Sequence, residues 1–123
     1  MLEIRKALLA RLKTFHPRVY FQVAPADAVF PYLVYDFPNV RDDGEALEVA
    51  VVDIDGWDEP TNGDTTAVET LMTAVNAGLN KKTLTAENMA VTFYLDTKIP
   101  LRDDDPRIRR RKYIYQARLF RRG

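Results

Sequence analysis

The chain has 123 residues, 46% apolar and 29% charged, with 18 basic and 18 acidic side chains and a net charge of zero. This is the profile of one soluble globular domain, and no apolar run approaches the ~20 residues of a membrane span. There is no cysteine, no serine and a single histidine, which excludes disulfides, thiolate metal sites and Ser-His or Cys-His nucleophilic catalysis.

The N-terminal MLEIRKALLARLK is interrupted by charges and lacks the apolar core and cleavage site of a secretory signal. Leu2 to Phe15 is instead expected to be a helix. Ile4, Leu8, Leu12 and Phe15 repeat at helical spacing, Leu9 widens the stripe, and Pro17 disfavours helix at His16. Arg18–Val23, β-branched and aromatic, is expected to be a strand stopped by Pro25. Pro31 sets up a second strand, Tyr32–Phe37, which Pro38-Asn39 is expected to close. Arg41-Asp42-Asp43-Gly44 is a turn, and Leu47–Trp57, apolar on both faces in its middle, is a central strand.

A polar loop, Asp58–Asp64, leads to a helix running to about Asn80. Thr66 and Glu69 have capping-box spacing, and Val68, Leu71, Met72, Val75 and Leu79 form the apolar stripe. Gly78 weakens its end. Met89–Lys98 and Ile108–Arg121 alternate as strands, with Ile99–Pro106 a loop between them. The last strand is long enough that part of it is expected to project or bend. The order α-β-β-β-α-β-β implies a two-layer α+β fold, with two amphipathic helices on a mostly antiparallel or mixed five-stranded sheet, in one domain spanning residues 1–123.

The zero net charge hides an asymmetry. Residues 36–69 hold eleven acids and one base, and residues 102–123 hold nine bases and three acids. Either acidic and basic strands lie side by side and neutralise each other, or oppositely charged faces let identical copies dock head to tail.

Little in the sequence supports bond-making chemistry. Asp53-Ile54-Asp55-Gly56 opens like a calcium loop, but Trp57 and Asp58 occupy the fifth and sixth positions, so the pattern fails. Asp53 and Asp55 share a strand face that suits a basic neighbour or solvent. Asp103-Asp104-Asp105 is expected to pair locally with Arg107 or Arg109. Asp36 is the one acid in a strongly apolar run, where it is expected to accept backbone N–H bonds; a small enzyme using it would need an unidentified partner. His16 is a helix-end residue. There is no glycine-rich phosphate loop, and no catalytic residue, cofactor or metal is expected. The segment IRRRKYIYQARLFRR interleaves cations with aromatics as a nucleic-acid module does, against a neutral total.

The segments PADAVFPYLVYDF, DTTAVETLMTAVNAGL and DDDPRIRRRKYIYQARLF resemble the tail terminator (tail completion, head-to-tail joining) proteins of long-tailed bacteriophages and prophages. The match includes Asp103–Asp105, Arg109–Arg111, Tyr113, Ile114 and Tyr115. The resemblance implies a non-enzymatic structural protein of the virion tail or neck, assembled in the host cytoplasm. It implies a ring, usually hexameric, that caps the tail tube, ends its polymerisation and presents a surface to the head connector or stopper proteins. Partners are then other copies, the tube protein, the connector and DNA passing through the lumen, without membrane or small-molecule substrate. Alternatives are another neck or minor capsid protein, or a nucleic-acid module using the basic C-terminal strand. A ring needs two complementary patches. The expected ones are acidic (Asp42, Asp43, Glu45, Asp58, Glu59) and basic (Arg109, Arg110, Arg111), with Trp57 as the apolar anchor.

Overall fold

A computed structural model describes residues 2–42, 47–86 and 88–121, with backbone only at Asp42 and Leu47. The first helix, α1 (Leu2–Lys13), buries Ile4, Leu8 and Leu12 completely. β1 (Val19–Phe21) is shorter than expected because Gln22 takes a positive φ of 66°. It runs parallel to β2 (Tyr32–Asp42). The proline at position 38 does not end β2. A register shift between Asp36 and Asn39 absorbs it as a bulge, the arrangement by which a strand accommodates a residue without an N–H.

β3 (Leu47–Asp58) is central as expected. The second helix, α2 (Thr66–Leu79), starts where the threonines predict but by a different device. Asp64 Oδ1 accepts from the Thr66 N–H at 2.9 Å and from its hydroxyl at 2.6 Å, and Thr65 makes no side-chain cap. The Thr66–Glu69 capping box is not formed, since Glu69 pairs instead with Arg111.

The expectation of five strands is corrected to six. β4 (Thr83–Ala86) follows Lys81, at φ 61°, and pairs residue for residue with Met89–Thr92. Its four residues, TLTA, are too few and too polar to register as a strand on pattern alone. β5 (Met89–Arg102) runs four residues beyond its expected end, and β6 (Arg109–Arg121) neither projects nor stands alone. It is flanked by β5 from Arg109 to Arg121 and by β3 from Arg109 to Phe120.

The sheet order is β1-β2-β3-β6-β5-β4, mixed because only β1–β2 is parallel. One face carries the core: Leu33, Tyr35, Val52, Ile54, Val91, Phe93, Tyr115 and Leu119 meet the buried stripes of both helices. Burying each of these side chains contributes roughly 1.5–3 kcal/mol. α2 lies over β3, β5 and β6, while α1 touches both outer strands, β1 and β4, so the sheet curls around it. The contacts are close. A Cβ added to Gly56 of β3 would lie 2.8 Å from Met72 Sδ of α2, and one added to Gly78 of α2 would lie 2.0 Å from the Phe15 ring. Arg11 tightens the same helix junction by donating to the Gly78 carbonyl at 3.0 and 3.3 Å.

Candidate interaction surface

The adjacency of β3 and β6 puts the acidic segment beside the basic one. In register, Asp58 opposes Arg109, Trp57 opposes Arg110, Gly56 opposes Arg111, and Asp55 opposes Lys112. Because side chains alternate across a strand, the charges sort onto two faces. On the face without helices, Arg110 pairs with Asp55 at 3.1 Å and Lys112 with Asp53 at 3.4 Å. On the helix face Arg111 pairs with Glu69 of α2, and Arg121 with Glu48 at 2.7 Å. Of the two readings of the charge asymmetry, side-by-side neutralisation is therefore realised within the chain.

Trp57 anchors an aromatic cluster on the open face. The Arg110 guanidinium lies 4.0 Å over its ring, a cation–π distance, and Tyr32 stacks on it at 5.9 Å with the planes 14° apart. Tyr20 and Phe30 extend the cluster through Tyr32. Burial pushes the Asp55 carboxyl above the ordinary carboxylate range, despite the opposing pull of Lys112 and Arg110. Asp55 Oδ1, Trp57 Nε1 and Arg110 Nε are buried there without a hydrogen-bond partner.

The expected patch residues fall into two groups. Trp57, Asp58, Glu59 and Arg109–Arg111 gather at the end of the sheet that carries the β5–β6 hairpin. Asp42, opposite Glu48, stands at the other end. Asp43 and Glu45 lie outside the described residues. Asp58 is only 7% exposed and accepts the Glu59 N–H at 2.8 Å, so the acid that meets solvent there is Glu59. Arg109 donates to the carbonyls of Pro106 and Ile108, which ties it to its own hairpin. Sequence reasoning missed Glu69 as the partner of Arg111 and Tyr32 as the platform under Trp57. Both meet their partners across elements distant in sequence, and no local pattern signals either.

The remaining candidates are structural. Asp36 Oδ1 accepts the Phe37 N–H at 2.8 Å and the Gln22 amide at 3.2 Å. His16 Nε2 donates to the Pro31 carbonyl at 2.8 Å, joined there by Arg18 Nε at 3.1 Å. In the hairpin turn Asp105 pairs with Arg107 at 2.7 Å, as expected, and hydrogen bonds from Arg107 hold its carboxyl down at about 2. Among the described residues no cluster of three His, Asp or Glu could hold a metal ion, and no helix is long and apolar enough to cross a membrane. A cleft of about 770 Å³ lies between the hairpin and the start of α2, beside Thr65, Pro100, Arg102, Arg109 and Arg111. Asp103 shares its lining.

The sequence model of the family described as Tail completion protein gp17 matches residues 3–119. The chain belongs to that family. As a tail completion protein it is a structural component of a bacteriophage-type virion and not an enzyme. Among solved structures, a chain in the virion of a native gene transfer agent particle shares its fold, with a TM-score of 0.80 at 16% identity. The match covers 96% of this chain and 95% of that one. No curated protein sequence matches.

Proposed function

We propose that this tail completion protein forms a ring, hexameric, on the last ring of the tail tube. There it ends tube polymerisation and offers the surface on which the head's connector or stopper protein docks. The family match over nearly the whole chain carries this reading. The fold supports it, because the open face and the two ends of the sheet give one subunit two different surfaces, as a cyclic assembly requires. Trp57 with its Arg110 and Tyr32 neighbours is the apolar anchor of the hairpin end, with Glu59 and the exposed parts of Arg109 and Arg111 as its polar rim. Asp42, at the opposite end of the sheet, belongs to the second, acidic surface of this reading, with Asp43 and Glu45 next to it in sequence. Assembly takes place in the host cytoplasm, and DNA later passes through the ring's lumen.

With most β6 cations already paired to acids of the same chain, phosphate contacts have little uncompensated charge to use, which disfavours the nucleic-acid module. The test is sizing with light scattering at low and high salt, with and without purified tail tubes. The expected result is a discrete ring, free or on the tube end, and arrested tube growth. A chain that stays monomeric in every condition and leaves tube length unchanged refutes the reading.

A further inference from the structure

Among the described residues, besides the outer sides of the short end strands β1 and β4, two stretches of sheet edge are left without a strand partner. β1 covers β2 only at Leu33–Tyr35, which leaves the outer side of residues 37–42 open. β4 covers β5 only at Met89–Thr92, and Asn80–Lys82 extend that cover to Phe93 and Leu95, which leaves residues 97–102 open. Each open stretch is six residues long. They lie on opposite margins of the sheet and at opposite ends of it, because residues 39–42 are level with 91–94 across β3 and β6. The backbone phase of each is readable. Leu33 and Tyr35 direct their backbone groups outward to β1 and Gln22, and beyond the bulge the outward positions are Val40 and Asp42. Phe93 and Leu95 donate outward, and beyond the shift at Leu95/Thr97 the outward positions are Lys98, Pro100 and Arg102. Pro100, without an N–H, fits such an edge position. Pro38–Arg41 and Asp96–Lys98 are exposed on the surface.

Open edges of this length are templates for a further strand unless something blunts them. We propose that the open edge of β5 (residues 97–102) pairs with the open edge of β2 (residues 37–42) of a second copy of this chain, so that the sheet continues from subunit to subunit around the ring. The inference rests on the ring reading above and specifies its contact. β2 and β5 run in opposite directions within the sheet, so copies standing side by side in one orientation meet antiparallel. The neighbour's β2 then runs from the hairpin tip toward Asn80–Lys82, where the cover on β5 begins. It ends on Asp42, the first of three acids in the four positions 42–45, and the side chains awaiting it are Lys81 and Lys82, both exposed. Lys98 adds a third cation along the way. At Asp42 the docked strand enters the acidic stretch of the sequence beside Lys81 and Lys82, while Arg109–Arg111 remain committed to their own chain.

The geometry is compatible with closure. Successive contacts are four strands apart, about 19 Å at ~4.8 Å per strand. They are staggered by about six residues, about 20 Å at ~3.3 Å each. Strands arranged so are inclined by about 45° to the ring axis, the range in which strands tilt in closed barrels. The contact is heterologous, because two different edges meet, and heterologous contacts generate rings where the rotation between copies closes.

The absence of cysteine makes the test direct. Val40→Cys is combined in turn with Lys98→Cys, Pro100→Cys and Arg102→Cys, all at outward positions. Within one subunit the two positions lie at opposite ends of the sheet, so any disulfide joins different copies. Oxidation is expected to give one combination a ladder ending at the ring's subunit number, with each single variant stopping at dimer. Val40→Pro, which removes an outward N–H, should lower assembly at least tenfold with the monomer's melting unchanged. Lys81→Glu with Lys82→Glu should weaken assembly in a salt-dependent way. Rings seen by light scattering that cross-link in none of the three combinations overturn the edge pairing and leave the ring reading standing. Monomer in every condition, with and without tubes, overturns both.

Discussion

Asp55→Ala probes the charge seam where it is most enclosed. Asp55 Oδ2 lies 3.1 Å from the Arg110 guanidinium, and at an effective dielectric of about 20 that separation corresponds to about 5 kcal/mol of gross attraction. Desolvation offsets much of it: Asp55 is only 9% exposed, and burial raises its pKa even beside two cations. Removing the carboxylate leaves the Arg110 side chain, 21% exposed, over Trp57 without its counter-ion. Breaking a fully buried pair costs about 3–5 kcal/mol, and the exposure remaining here brings the expected loss to about 2–3 kcal/mol. For a domain of this size that is a fall in Tm of about 10 °C. Urea unfolding followed by fluorescence of the single tryptophan, itself in the cluster, measures it. The double variant with Arg110→Ala separates the pair from its surroundings. It should cost less than the sum of the singles by at least about 1 kcal/mol. An additive cycle would show that the ion pair contributes nothing and refute the reasoning. The seam also changes what reversing Arg109–Arg111 to glutamate would report. That variant places new carboxylates against Asp55 and Glu69, so loss of assembly in it would follow from a damaged fold.

Gly78→Ala sets two effects against each other: alanine favours helix by about 1 kcal/mol, but its Cβ falls 2.0 Å from the Phe15 ring and overpacking costs about 1–3 kcal/mol. A net loss of about 1 kcal/mol is expected, reversed when Phe15→Ala opens the space; a single variant more stable than the parent would show that the helix junction yields freely. In acid, Asp105 and Asp55 act in opposite senses. The lowered pKa of Asp105 gives stability that is present above its ordinary value near 4 and lost as pH falls toward about 2. The raised pKa of Asp55 gives a contribution that is largest below its ordinary value and falls as pH rises through the raised one. Asp105→Asn should therefore flatten the acid loss of stability in unfolding titrations between about pH 2 and 5, and an unchanged acid slope would remove Arg107 from the account.

What the sequence carried legibly was periodic. The stripes of α1 and α2, the alternation in β5 and β6 and the double-sided apolarity of β3 all mark their elements, because burial imposes its period on the residues. Asp36, Asp53, Asp55 and Asp105 also found partners of the kinds anticipated. The misses have different causes. β4 sits in a tight local hairpin with β5, but its four residues are too few and too polar to show a period. β2 passes Pro38 because its pairing with β3 accepts a bulge there, and Glu69 is drawn from its cap by Arg111, 42 positions away. Charge density marked Arg109–Arg111 in the sequence, but not that Arg110 and Arg111 would pair within the chain. The open backbone of residues 37–42 and 97–102 leaves no compositional trace.

The place of β6 in the sheet also has a temporal meaning. The last of the described strands is inserted between β3 and β5, so until residues 109–121 emerge the chain holds two separate pieces, β1-β2-β3 and β4-β5, each with a bare inner margin. Closure joins residues about sixty positions apart, a non-local step of the kind that slows folding and leaves unfinished chains prone to stick to one another. A chain cut before residue 109 lacks the strand that joins the two pieces and leaves both inner margins bare, so it offers no smaller version of this sheet.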